Sequence, residues 1–253
     1  MFKNWNWPAI FSFTLLTALA EILIRTGLLP DFLFPAPSTV LQTLVQNSAE
    51  FSRGTGETLK ASLAGLALSI VCGIAVAVGF SLSDFLKRAI LPFAVFFQTV
   101  PIIAVAPLLV IYFGFGMPTV ISAAFIVSIF PIIANTLLGL ESVEPGKLDL
   151  LRLYRASPWQ ILLKLRLPQA YGSIYAGLKT ATGLAIIGAI AGEFVAGGGL
   201  GALIDSARTQ QRIDIVFGAL ILLSLMGLAC ISGLKLTNRL VQKFRPYGIH
   251  LKD

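Results

Sequence analysis

The sequence predicts an all-α fold, a polytopic membrane helix bundle with six transmembrane helices and both termini cytoplasmic. Three observations predict it. Mean hydropathy is +0.85 with only 12% charged residues, about half the usual share for soluble domains. Several apolar runs approach the roughly 20 residues that cross a bilayer. The positive charge behind the net +7 falls between those runs, where the positive-inside bias puts it. That distribution, with no aromatic interleaving of a basic patch, excludes nucleic acid as a partner and names the lipid bilayer instead.

The first run, 8–29, follows Lys3 and the interfacial pair Trp5 and Trp7. Ala18-Leu19-Ala20 offers a cleavage-like site, but the apolar stretch continues through Ile22, Leu23 and Ile24, longer than a signal core needs. Ser38, after Pro37, opens a short amphipathic pattern (Val40, Leu41, Leu44, Val45) that reads as an interfacial helix. The second span is 59–82. Asp84, Lys87 and Arg88 mark a turn into the third, 90–113, which Pro92, Pro101 and Pro107 interrupt. The Gly/Pro turn 114–118 leads to a fourth span ending at Leu140. A polar stretch, 141–168, precedes the fifth span, 173–195; a glycine-rich loop and a sixth span, 215–234, follow. With both termini inside, 13 of the 19 basic residues are cytoplasmic: Lys3, Lys87, Arg88, five in 141–168 and five in the tail.

Within the spans, Gly188 and Gly192 form a small-xxx-small pair that brings helices close, either within the chain or between subunits. Pro101 and Pro107 free backbone carbonyls in the third span, which fits a translocation pathway or a simple kink. Glu193, near the outer end of the fifth span, fits a gate or pathway role, or a carboxylate solvated or hydrogen-bonded to a neighbouring helix. Glu21 and Lys179 lie nearer span edges and can snorkel or face a neighbour. Cys72 and Cys230 sit in apolar runs with no metal or disulfide spacing, and read as packing. The one histidine, His250, is in the tail, so no acid/base constellation or metal site can be assembled and no cofactor is called for.

The loop 141–168 has more local design than a connector needs. After Pro145-Gly146, residues 147–154 alternate apolar and charged positions as a short helix would. Ser157-Pro158-Trp159-Gln160 is a helix start: a capping serine, proline at the first helical position, and glutamine three residues after the cap. This second helix is expected to run to Arg166 and halt at Leu167-Pro168. The result is a knuckle suited to docking in a partner groove, or to lying on anionic lipid through Arg152, Lys164 and Arg166.

Here the sequence resembles the permease subunits of binding-protein-dependent ABC importers, whose cytoplasmic motif is E-A-A-x3-G followed by I-x-L-P. Asp149-Leu150-Leu151 stands where that family has Glu-Ala-Ala; Arg155 stands where it has glycine, with Ala156-Ser157 following as usual. Leu165-x-Leu167-Pro168 matches the end of the motif at the right distance. Further likenesses are Phe34-Pro35-Ala36-Pro37-Ser38, Val100-Pro101, Ala106-Pro107-Leu108, Phe113-Gly114-Phe115-Gly116, Phe130-Pro131 and Gly192-Glu193. Together they look like the nitrate/sulfonate/taurine-type permeases with their pyrimidine-precursor and riboflavin relatives.

The resemblance implies a multi-pass protein of the bacterial inner membrane, divided into an N-terminal transmembrane helix (1–33) and a permease domain (34–253). It implies a permease homodimer, two cytoplasmic ATPase subunits and an external solute-binding protein. Asp149, Leu150, Leu151, Arg155, Ala156, Ser157, Leu167 and Pro168 would couple to the ATPase, and Pro101, Pro107 and Glu193 would line the pathway or gate. The chain itself has no P-loop: its only Gly-Lys pair, Gly146-Lys147, has Glu141 in place of the first glycine and Leu148 in place of the hydroxyl residue. A secondary transporter working alone is the alternative, but neither internal repeats nor several intramembrane ionisable groups are found.

Overall fold

The computed structural model describes residues 7–31 and 33–244 and, among them, contains helices and no strands. Lys3, Trp5, Arg245, His250 and Lys252 lie outside the described residues. The helices in chain order are α1 (Trp7–Arg25), α2 (Pro37–Gln46), α3 (Ser48–Leu82), α4 (Asp84–Gln98), α5 (Ile102–Phe113), α6 (Met117–Glu141), α7 (Pro145–Leu153), α8 (Pro158–Ile161), α9 (Leu167–Ala196), α10 (Gly199–Thr209) and α11 (Ile213–Phe244). Among the described residues four helical stretches are long and apolar enough to cross a membrane: Ser48–Leu82, Met117–Glu141, Pro158–Ala196 and Ile213–Lys243.

The core is a three-helix layer in which α6 lies between α3 and α9. α3 and α6 run parallel in fixed register, because Gly65 faces Ala124, Ser69 faces Ser128 and Gly73 faces Ile132. A Cβ on Gly65 would stand 2.6 Å from the Ala124 Cβ, and one on Gly73 2.9 Å from Ile132 Cγ2. The α3 side of this seam is a stripe of small buried residues every fourth position: Ala61, Gly65, Ser69, Gly73, Ala77. Side chains this small let backbones touch, which is how helices associate in lipid, where apolar burial gives no preference for a neighbouring helix over an acyl chain. α9 packs antiparallel on α6 by the same device. Gly188 lies against Ala123 and Ala124, Gly192 against Val120, Gly177 against Asn135, and on the α6 side Gly139 lies against Ala170. The pair Gly188/Gly192 therefore serves packing within the chain. Most polar groups in these spans are satisfied locally: Ser62 donates to the Thr58 carbonyl at 2.7 Å, and Ser69 shares a 2.7 Å hydrogen bond with Ser128, whereas the buried Thr136 Oγ1 has no partner.

Four expectations need correction. The third span is not one helix: α4 ends at Gln98, and α5 begins after Pro101, whose backbone is extended (φ −61°, ψ 123°). Proline lacks an N–H and pushes its predecessor out of helical conformation, whereas Pro92 and Pro107 remain inside helices. The helix after Ser157 does not halt at Leu167-Pro168. α8 passes through a π turn (Leu162–Arg166) directly into α9, and the wide turn supplies the room that the Pro168 ring would otherwise take from the preceding carbonyl. The glycine-rich loop after the fifth span is mostly helix α10. The second and sixth spans extend well past their apolar runs; α3 has 35 residues, about 52 Å, against a hydrocarbon layer of about 30 Å.

α1 stands apart from this core. Glu21 ties it to the N-terminus of α2, accepting from the Ser38 N–H at 3.0 Å and from its Oγ at 2.7 Å. The pattern Val40, Leu41, Leu44, Val45 does form a helix, α2, and Thr43 anchors it by donating at 2.8 Å to Asp214, which also pairs with Arg212.

The seam predicts that Gly65→Ala and Gly188→Ala each destabilise the bundle by about 1–3 kcal/mol through overpacking. Thermal unfolding of the detergent-solubilised protein checks this, with Gly146→Ala, where an added Cβ meets nothing within 4 Å, expected to leave the midpoint unlowered.

Candidate functional site

The register of α3, α6 and α9 puts chemistry at two opposite ends of the bundle. At one end the chain between α6 and α9 folds into the expected knuckle. α7 closes in a paired-bond C-terminal turn: the Ala156 N–H donates to the Leu151 carbonyl at 3.0 Å and the Arg155 N–H to the Arg152 carbonyl at 2.9 Å. Such a turn needs a left-handed residue between them, and Arg155 supplies it with φ 54°. Arg155 thus takes up the backbone conformation that a glycine would adopt at lower cost. Ser157 and Gln160 form the expected capping box at the start of α8: the Gln160 N–H donates to Ser157 Oγ at 3.3 Å and the Ser157 N–H to Gln160 Oε1 at 2.8 Å. Arg166 pins the knuckle to the bundle, donating at 2.8 Å to the carbonyl of Ser81 near the end of α3, and Lys87 pairs with Glu141 at 2.6 Å beside it.

The surface so presented is apolar. Leu150, Leu153, Tyr154, Trp159 and Leu163 are all more than half exposed, and the charged Asp149, held 3.5 Å from Arg152, lies among them. Of the sequence-predicted coupling residues, Asp149, Leu150, Leu151, Arg155, Ala156 and Ser157 come together here. Leu167 and Pro168 instead begin α9, Leu167 packed against Leu140, Leu162 and Ala170 and Pro168 exposed.

At the other end, Glu193 is 2% exposed and enclosed by α10. The chain leaves α9 through Gly197, Gly198 and Gly199, all with positive φ (79°, 86° and 64°). The first turn of α10 then offers three N–H groups with no partner in their own helix. The Gly199 N–H donates to Glu57 Oε2 at 2.8 Å, that of Leu200 to Thr58 Oγ1 at 2.9 Å, and that of Gly201 to Glu193 Oε2 at 2.8 Å. Negative side chains at a helix N-terminus are also favoured by its dipole. Two of the glycines are sterically required, since a Cβ on Gly199 would run into the Glu193 carboxyl and one on Gly201 would stand 2.7 Å from the Glu193 Cβ. Glu193 is thus hydrogen-bonded to a neighbouring helix rather than solvated. Sequence reasoning missed Glu57 and Thr58. Their signal was their position: an acid and a hydroxyl residue heading the small-residue stripe of α3.

Beside this junction lies a cavity of about 420 Å³ with Glu57, Phe115, Met117, Val120, Glu193 and Gly198 in its wall. Pro101 and Pro107 are not part of it. Pro101 marks the exposed break between α4 and α5, and Pro107 lies within α5. Among the described residues no group of three or more His, Cys, Asp or Glu is placed to hold a metal ion.

Residues 65–246 match the family described as the binding-protein-dependent transport system inner membrane component. A probable ABC transporter permease protein of Haemophilus influenzae is 35% identical, covering 80% of this chain and 83% of its own. The formylaminopyrimidine transport permease protein ThiX of Halalkalibacterium halodurans is 32% identical over 94% of this chain and 95% of its own. Among solved structures, an amino acid ABC transporter crystallised with histidines has a similar fold, with TM-score 0.66 at 17% identity, covering 78% of this chain and 97% of that one.

The left-handed Arg155 predicts that Arg155→Gly is neutral or stabilising by up to about 1 kcal/mol, whereas Ser157→Ala, which removes the cap, costs about 1 kcal/mol of local stability. Amide hydrogen exchange of 145–161 checks both. Faster exchange in Arg155→Gly would show that the side chain, rather than the backbone conformation, holds the turn.

Proposed function

Because the chain belongs to the family of binding-protein-dependent transport system inner membrane components, we propose that two copies form the pore of an ATP-driven importer and that the 145–166 knuckle seats each copy on a cytoplasmic ATPase subunit. The chain is the permease subunit of such an importer, a multi-pass protein of the inner membrane. ATP hydrolysis is assigned to the separate subunit, in keeping with the missing P-loop. The external partner is a solute-binding protein. The solute is small, of the nitrate, sulfonate or taurine type or of the pyrimidine and vitamin-precursor type. Relatives named for formylaminopyrimidine and for nitrate are each 32% identical, so the ligand of the cognate binding protein decides between the two.

The observation that carries the docking reading is an ordered, capped knuckle with Leu150, Leu153, Tyr154, Trp159 and Leu163 exposed. Lys147, Arg152, Arg155 and Lys164 are exposed as well, while Arg166 is turned into the bundle, so it is the apolar set that favours a protein groove over a lipid surface. The family resemblance supplies the partner. Orientation follows: the knuckle end is cytoplasmic, so the Glu193 end faces outward, and six crossings are completed by α1 and by α4 with α5.

The dimer reading rests on the break at 99–101. In lipid, backbone N–H and C=O groups outside a helix are tolerated only when protein covers them or water reaches them, yet Thr99, Val100 and Pro101 are exposed on the protomer. A second copy facing this break, with a wet route between the two, meets that requirement. Pro101 and Pro107 are accordingly assigned to the pathway-facing α4–α5 segment.

In the assembled complex, a cysteine at Asp149 or Ser157 is expected to cross-link to one in the ATPase groove, and deletion of 147–157 to abolish co-purification. Intact purification of the deleted complex rules out the knuckle as the dock.

A further inference from the structure

We propose that α10 is a latched gate over the outward end of the permease, held shut by Glu57, Thr58 and Glu193. This rests on the orientation given above, with the knuckle inside.

The first argument is how α10 is capped. A helix normally satisfies its first N–H groups with its own N-terminal side chains, and here Gly198 offers none. The three acceptors come instead from two other helices, Glu57 and Thr58 on α3 and Glu193 on α9. α10 therefore closes its first turn only while α3 and α9 stand at their present separation. Sliding α9 along α3 by about one helical residue, 1.5 Å, leaves the start of α10 unable to keep both its α3 acceptors, Glu57 and Thr58, and its α9 acceptor, Glu193.

The second argument is what lies on either side of α10. Before it are the three left-handed glycines, 197–199, and after it Gln211 has φ 57°. There the Arg212 N–H donates to the Ala207 carbonyl at 2.9 Å and the Gln211 N–H to the Arg208 carbonyl at 3.2 Å. α10 is thus a rigid 11-residue segment between two sharp joints, the arrangement of a hinged element. Its inward face, through Leu200, Leu203 and Ile204, joins an apolar cluster with Phe51, Ala219 and Leu223, which favours the closed position when the latch is made.

The third argument is position. The cavity of about 420 Å³ opens where α10 begins, and Glu57, Glu193 and Gly198 are shared between its wall and the latch. Displacing the start of α10 opens that cavity outward. Glu57, Thr58 and Glu193 are on this reading positioning residues for transport. The charged groups around the latch are Glu57 and Glu193, with Arg53 paired to Glu57 at 3.2 Å and Lys60 near enough to act on it.

The test uses the intact permease–ATPase complex in lipid vesicles, with Cys72→Ser and Cys230→Ser as background and a reporter Ala61→Cys in the cavity wall. A membrane-impermeant maleimide added on the outward side reads exposure. Trapping with ATP and vanadate is expected to raise the labelling rate at least tenfold over the nucleotide-free complex. A second pair, Gly54→Cys with Leu200→Cys, is to be linked by a short bifunctional thiol reagent or by oxidation, since a Cβ on Gly54 would stand 3.2 Å from Leu200 Cδ2 and 3.3 Å from the Gly199 carbonyl carbon, which places α3 beside the start of α10. Linking that pair is expected to abolish the rise, and reduction of the oxidised pair to restore it. Thr58→Val, which keeps shape and removes one acceptor, is expected to raise the resting rate about tenfold. A rise that persists with the bridge closed, or a Thr58→Val complex labelled at the parental resting rate, overturns the gate. ATPase co-purification is unaffected by either outcome, so failure of the gate is distinguishable from failure of the permease reading.

Discussion

Close backbone approach between α3, α6 and α9 is the constraint on which the rest of this structure depends. Lipid offers apolar surface as readily as a neighbouring helix does, so only fit and polar contacts can choose the neighbour. Here the fit comes from residues without bulk: Gly65 and Gly73 on one side of α6, Gly188 and Gly192 on the other. The contact fixes not only which helices touch but their longitudinal register. Ser69 meets Ser128 and no other hydroxyl, and from that register it follows that Ser81 is in reach of Arg166 at one end and Thr58 in reach of Leu200 at the other. The two functional regions are thus positioned by the same seam although they share no residue.

Polar economy sets the second layer of organisation. Serines and threonines that the seam brings inside meet a medium that offers no acceptor, and most give their proton to the carbonyl one turn back, as Ser62 and Thr182 do, though Thr136 Oγ1 has no partner. Glu193 is a different case. Among the described residues it is the one acidic side chain that is buried, and its cost is offset by the Gly201 N–H, which would otherwise be orphaned. Two unsatisfied partners are thereby disposed of in one contact. The break at Thr99–Pro101 is satisfied only in part: the Thr99 N–H donates to the Phe96 carbonyl and the Pro101 carbonyl accepts from Ala104, while the segment is exposed on the protomer.

Much of this was legible in the sequence, and the misses have physical reasons. Apolar runs located the cores of α3, α6, α9 and α11, because composition reports what faces lipid. They did not report the ends: helical hydrogen bonding carries α3 back to Ser48 and α11 on to Phe244, through polar segments that no hydropathy window includes. Ser157-Pro158-Trp159-Gln160 was readable to the individual hydrogen bond, since a capping box is a local device. Pro168 misled, because proline stops a helix only when no turn before it can widen, and Leu162–Arg166 widens. α10 was hidden by its glycines, which look like loop when the carboxylate they make room for is eight residues away in sequence, as Gly201 is from Glu193. Glu57 and Thr58 were passed over for the same reason, their partners lying 142 positions further along the chain. The four-residue recurrence Ala61, Gly65, Ser69, Gly73, Ala77 was present to be read, and it marks the seam better than the single pair in α9.

The π turn between α8 and α9 has a mechanical consequence. Because the helix does not stop at Pro168, the chain from Pro158 to Ala196 is one strut of 39 residues, about 58 Å at 1.5 Å per residue. Its foot is the capped start of α8 and its head carries Glu193. Foot and head therefore belong to one continuous helical body, and the positions of the capped turn and of Glu193 are not independent of each other. Gly177, pressed against Asn135 and the Pro131 carbonyl, sits halfway along, where the strut packs on α6.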